Sequence, residues 1–408
     1  MKREKERISK KEGKAEQLEL KEKLKRSLRS RERGITLVAL VITIVILIIL
    51  AVVTINFAFG DNGLIKQAES ARDYQANADA TDSKLLNDAT EYIDGIIGGS
   101  GSEGGSIEQT ATTVEEAKEN GLPYKDTTVI NDDLNNDVTI PGGFNIANDS
   151  GTKVEEGIVI EDEIGNQFVW IPTGKYQTIS GEKTNNLSRR TFTSSEATEV
   201  SGDEVVNGGF YGEGNASSVA KDQIEGFKTS VNNNGGYYIG RYEAGTEIER
   251  TSAGDSLTTP LVQANKNAYV WITRDQAKTQ AEAMYSGNSY VISELISGYA
   301  WDTALNFICQ TNEEGYLLAI TTDSAYGNIG TNTKELTGVY ETDNYSNIHD
   351  FLGNCFEWTT EYYSNSDYPC VGRGGVYHYS DYYAASRRNP SLDYSGFNSS
   401  FRTQLYIK

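Results

Sequence analysis

Three cysteines, two histidines and a run of tyrosines are the side chains here whose types could do chemistry beyond packing. Cys309, Cys355 and Cys370 carry the thiols. A free cysteine usually behaves as a small core residue, although outside a cell Cys355 and Cys370 could close a disulfide, which spacing alone does not decide. Neither His349 nor His378 stands in a zinc-like spacing. Carboxylates abound, so their nearness in sequence selects no acid–base pair. The tyrosines say more. From Tyr362 to Tyr394 the chain holds eight of them, separated by Ser, Asp, Asn and Gly. Tyrosine offers large contact area at little rotamer cost and small polar neighbours adapt their hydrogen bonds, which is the makeup of antibody paratopes. The chemistry expected from this segment is recognition.

Those residues need a frame. The chain has 408 residues, 37 Lys+Arg against 58 Asp+Glu, and a net charge of −21. Gly reaches 40 while Pro is 6, and 25 tyrosines are present, which together describe a loop-heavy β or α+β protein. The sequence pI of about 4.6 excludes nucleic acid as a partner of the folded surface, because phosphate contacts need clustered Lys and Arg. The charge is split: residues 1–33 carry +7, which leaves −28 on the rest.

From Ile35 to Phe59 no residue is charged. As a helix rising about 1.5 Å per residue this run is long enough for a bilayer core of about 30 Å. The basic flank then belongs on the cytoplasmic side and the acidic body outside. The expectation is a single-pass cell-membrane protein. Arg33-Gly34-Ile35-Thr36-Leu37-Val38 sets a basic leader and a Gly before the apolar run. It resembles the processing site of type IV prepilins and pseudopilins. The resemblance implies cleavage by a prepilin peptidase after Gly34, an N-methylated Ile35, and assembly with other pilin or pseudopilin subunits in a pilus or secretion-system filament. Ala39 stands where that family has Glu at its fifth mature position, which suits a tip or minor subunit better than a repeating one.

Asp61–Ile97 continues with apolar residues at helical spacing, among them Leu64, Ile65, Ala68, Leu85, Leu86 and Ile93. Gly98-Gly99-Ser100-Gly101-Ser102 and its continuation have linker composition. The expected organisation is a leader over 1–34, a transmembrane and pilin-like helix over 35–97, a connector over 98–153 with a helical stretch at Val114–Asn120, and a folded body over 154–408. In that body Gly157–Ile160, Gln167–Ile171 and Gly236–Tyr242 read as strands, and Arg274–Tyr285 and Leu295–Ile308 as helices. The fold class is α+β: a long N-terminal helix followed by an irregular, loop-rich domain.

Motifs of the body carry a second resemblance over about 155–408. Phe168-Val169-Trp170-Ile171-Pro172, Gly236-Tyr237-Tyr238-Ile239-Gly240-Arg241-Tyr242-Glu243, Tyr299-Ala300-Trp301-Asp302, Leu352-Gly353-Asn354-Cys355-Phe356-Glu357-Trp358-Thr359, Arg373-Gly374-Gly375 and Ser399-Ser400-Phe401-Arg402 follow one another in the order seen in the sulfatase-modifying, or formylglycine-generating, enzyme family. The resemblance implies a C-type-lectin-like fold. The family's oxidase needs a cysteine pair after the Arg-Gly-Gly, where soft sulfur handles copper. Between Gly375 and Arg388 this sequence has no cysteine, so neither catalysis nor copper is expected. The same resemblance implies a structural Ca²⁺ site formed by Asp350 and Glu357 carboxylates with Gly353 and Cys355 carbonyls, hard oxygen donors of the kind Ca²⁺ takes. The tyrosine-rich segment also resembles the variable region of retroelement-diversified lectin-fold proteins. By that resemblance Tyr377, Tyr379, Asp381, Tyr382, Asp393, Tyr394 and Asn398 are the candidate contacts to a surface ligand, a glycan or a protein, with Arg387 and Arg388 bracing the loops through carboxylates. The expected function is a minor or tip pilin, or pseudopilin, displaying a non-catalytic, adhesin-like domain. The rivals are a surface receptor outside any filament and an enzyme of different chemistry on the same fold.

Overall fold

The computed structural model describes residues 17–25 and 108–408, apart from 201–204, 207–208, 214–220, 364 and 366. Two compact units divide the chain, Met1–Gly104 and Gly105–Lys408. In the first, 17–25 is an exposed helix. The processing site Gly34–Ile35, the apolar run Ile35–Phe59 and the stretch Asp61–Ile97 lie outside the described residues.

The expected fold class and location need correction. Among the described residues no helix is long and apolar enough to cross a membrane. The longest described helices, Lys221–Asn234 and Gly298–Thr311, have 14 residues each, whereas a span needs about 20 apolar ones. What the structure supports is a strand-rich unit with short helices. The long N-terminal helix, the single-pass anchoring and the pilin and secretion assignments built on them are not supported.

The second unit is organised by a six-stranded antiparallel sheet in the order Val291–Leu295, Thr403–Ile407, Gly236–Gly240, Gln167–Pro172, Val159–Glu161 and Asn145–Ile146. All five residues of Gly236–Gly240 are buried, as expected of a central strand covered on both faces. The C-terminal strand lies inside this sheet and closes the unit. The stretch from Gln109 to Lys153, read as a connector, packs into the same hydrophobic core through Val114, Ala117, Ile130, Val138, Ile140 and Phe144. Its helix Val114–Asn120 starts where Thr113 Oγ1 accepts the Glu116 N–H and ends at Gly121, whose φ of 59° suits a residue without Cβ.

A second sheet runs Val205–Val206, Gly209–Glu213, Phe356–Tyr363, Cys370–Arg373 and Arg387–Arg388, with Ser399–Phe401 pairing in parallel to Phe356–Tyr363. Helix Arg274–Ala283 begins at a capping box between Thr273 and Gln276. Helix Gly298–Thr311 is capped by Ser297, whose Oγ accepts the Ala300 N–H. Leu295 belongs to the preceding strand, so this helix starts three residues later than its apolar spacing suggests.

Candidate functional site

The motif residues meet in the interior as two ionic centres of opposite balance. In the first, Arg189, Arg373 and Arg387 surround Asp302 and Glu361. Arg373 donates to Glu361 at 2.5 Å and to Asp302 at 2.6 Å, Arg387 reaches both at 2.8 Å, and Arg189 donates to Glu361 at 2.6 Å. Burial works against the charge on both carboxyls. The three guanidiniums outweigh it and hold Asp302 and Glu361 below the usual carboxylate range.

In the second centre, Glu243, Asp343, Asp350 and Glu357 share one guanidinium, that of Arg402. Arg402 donates to Glu357 through Nη2 at 2.6 Å and Nε at 2.9 Å, to the Gly240 carbonyl through Nη1, and to the His349 carbonyl through Nη2 as well. Asn354 donates to Glu243 Oε1, while Glu243 Oε2 and Asp343 Oδ2 are buried with no hydrogen-bond partner among the described residues. Burial, and then the neighbouring Asp350, push Glu243 and Asp343 well above the ordinary range. Burial likewise pushes Asp350 up to about 7. An aromatic pair joins the two centres. Trp301 stacks on Phe351 at 4.1 Å, with Arg373 5.5 Å from the Trp301 ring and Arg402 5.2 Å from Phe351.

The residues expected to hold Ca²⁺ are spent differently. Both Glu357 oxygens accept from Arg402, and Asp350 Oδ2 accepts the Gly338 N–H at 2.8 Å. Gly353 lies where a Cβ would come within 2.6 Å of the Asn328 backbone, so its contribution is close loop packing. Among the described residues no group of three or more His, Cys, Asp or Glu side chains is arranged to hold a metal ion. All three cysteines are free and buried. Burial raises each thiol, Cys309 to about 12, so none is poised as a thiolate. His349 is packed against Tyr242 with ring centroids 4.9 Å apart, and burial lowers it to about 3.

The candidate contact residues separate by depth. Tyr379, Asp381 and Asp393 are exposed, Tyr382 and Tyr394 are half-buried, and Tyr377 and Asn398 are buried. Tyr377 packs with Val270, Cys355, Phe356 and Val376 in a small core under the loops. The Tyr394 hydroxyl donates to Asn398 Oδ1 at 3.0 Å, and the Asn398 carbonyl accepts the Phe356 N–H. Arg387 braces the loops through carboxylates as expected. Arg388 does so by lying 5.0 Å from the Phe356 ring and 4.6 Å from Tyr394.

Three residues complete this surface that the tyrosine pattern did not single out: Trp271, His378 and Phe397. His378 touches Tyr379 at 4.8 Å and Phe397 at 5.4 Å between centroids, Trp271 lies 6.2 Å from Phe397, and Tyr379 lies 6.2 Å from Tyr382. Tyr379 and Phe397 are 45% and 40% exposed, a large share for aromatic rings that touch a common neighbour. Trp271 has a φ of 57°, a left-handed conformation that is a true outlier for a bulky residue. Its N–H donates to the Gly396 carbonyl, and Arg250 donates to its carbonyl at 2.8 Å. A backbone held this way costs on the order of 1–3 kcal/mol and tends to mark functional surfaces. The signal for Phe397 was present, since it lies beside Asn398 in the same Gly- and Ser-rich stretch. Trp271 was hidden because it stands alone, three residues before the helix read at Arg274–Tyr285.

No family model matches the sequence, and no curated protein matches it. Among solved structures it is similar to PvdO from Pseudomonas aeruginosa (12% identity, 61% of this chain and 97% of that one, TM-score 0.35). It is also similar to CarF (14%, 60% and 99%, TM-score 0.33) and to Treponema denticola variable protein 1 (11%, 59% and 95%, TM-score 0.31). At these TM-scores the likenesses assign nothing further to this chain.

Proposed function

We propose that the 105–408 unit is a non-catalytic ligand-binding module whose binding surface is the aromatic face around Tyr379, Tyr382, His378, Phe397 and Trp271. One observation carries the reading: aromatic rings from three separated segments, exposed at His378, Tyr379 and Phe397 and half-buried at Trp271 and Tyr382, gather on loops seated over a small buried core. Large rigid side chains held on a preformed frame bind with little ordering cost. Two further features support it. The segment after Gly375 lacks cysteine, and the three cysteines elsewhere are buried with raised pKa values. The test is a binding screen of the full chain against arrays of glycans and proteins, repeated with Tyr379→Ala and Phe397→Ala. A ligand lost in both variants while their melting curves match wild type supports the module. Ligands bound equally by all three proteins would place the binding surface elsewhere.

A further inference from the structure

The aromatic face has a charge character as well as an apolar one. Between Val376 and Ser400 the only Lys or Arg side chains are Arg387 and Arg388. The first is committed to Asp302 and Glu361, the second to the rings of Phe356 and Tyr394. The next loop reaches the face where Asn332 donates its N–H to the Tyr377 carbonyl, and its Lys334 is paired with Glu249 at 3.2 Å. Asp381, by contrast, is exposed between Tyr379 and Tyr382. The face therefore offers ring surfaces, whose quadrupoles attract cations, and an exposed carboxylate; Arg387 and Lys334 are paired with carboxylates, Arg388 lies against the Phe356 and Tyr394 rings, and Arg250 is buried on backbone carbonyls beneath Trp271.

We infer that this face takes a cationic ligand: lysine or arginine side chains presented by a basic peptide or protein. The inference rests on the proposed binding function and narrows it. An uncharged glycan would stack on the rings equally well but would draw nothing from Asp381 or from the −22 carried by residues 105–408. A basic partner gains from all of these, by steering at long range and by cation–π contact once docked.

The experiment titrates the full chain with a deca-arginine peptide, an oligo-serine peptide of equal length and a neutral chitin oligosaccharide. Salt is held at about 150 mM, where charges more than about 8 Å apart are screened. Tyr379→Ala and Phe397→Ala should each weaken deca-arginine binding by about tenfold or more, as expected for aromatic anchors at an interface centre. Tyr379→Phe should keep it, and Asp381→Asn should weaken it. If the alanine variants bind deca-arginine like wild type, the attraction belongs to the acidic body at large and the inference fails. If the chitin oligosaccharide binds and depends on Tyr379 while the peptide does not, the inference fails and the binding function stands. If neither probe depends on Tyr379 or Phe397, both fail.

Discussion

The two buried ionic centres use the same side chains in opposite proportions. Around Asp302 and Glu361 three guanidiniums face two carboxyls, and every carboxylate oxygen accepts from at least one of them. Around Arg402 one guanidinium faces four carboxyls, and two of their oxygens have no partner among the described residues. Strand Phe356–Tyr363 supplies one acid to each, Glu357 and Glu361. Coulomb attraction outweighs desolvation in the first centre. In the second it cannot, so the carboxyls give up charge instead. Burial alone therefore does not set the state of a carboxyl; the local count of opposite charges does.

The largest test of this contrast is a matched pair of isosteric changes. Glu361→Gln should destabilise the protein by about 3–5 kcal/mol, because it leaves guanidiniums buried without their counter-charge. Glu243→Gln should be neutral or stabilising by about 1 kcal/mol, since the amide is the neutral isostere of the protonated carboxyl and keeps an acceptor for Asn354. Denaturant unfolding of the two variants reads this directly. Equal losses would break the contrast.

The next effect is on pH. Unfolded carboxyls titrate near 4. Around Arg402, Asp350 holds an extra proton from there up to about 7, so its contribution to stability falls as pH rises through that window. The centre around Glu361 behaves in reverse: its contribution is full above about 4 and is lost as pH falls below it. Melting temperature should thus rise from pH 8 to about 5.5 and collapse below about 4. Asp350→Asn should flatten the upper limb and leave the lower one in place.

Smaller differences are expected on the aromatic face. Trp271→Ala should be less stable than Trp271→Gly by about 1 kcal/mol, because only glycine adopts a φ of 57° freely. Equal stabilities would mean that the left-handed backbone is not strained. The smallest effect concerns calcium. With both Glu357 oxygens on Arg402, Ca²⁺ or a chelator should leave the melting curve unchanged. A clear upward shift with Ca²⁺ would show that the carboxylate-rich centre rearranges to take it.

Much of the framework was readable in advance. The helix Val114–Asn120, the strand Gln167–Pro172 and the start of the helix at Arg274 follow local periodicity and caps. The ionic centres were not readable, because Glu361 meets Arg189 across 172 positions of sequence and no local pattern reports such a pair. Tyr377 illustrates the limit in the site itself. It shares its composition with Tyr379, yet the loop turns one ring into the core and the other outward. Residues 98–153 read as a connector because Asn and Asp clusters mask the Val and Ile of 109–153 that enter the core.

Hydrogen–deuterium exchange of the full chain, with and without saturating deca-arginine, tests the central claim most directly. The account predicts slowed exchange in Val270–Thr273, Val376–Tyr383 and Leu392–Asn398, with the sheet containing Gly236–Gly240 unchanged. Protection outside these three segments, or none within them, would contradict the assignment of the aromatic face as the binding surface.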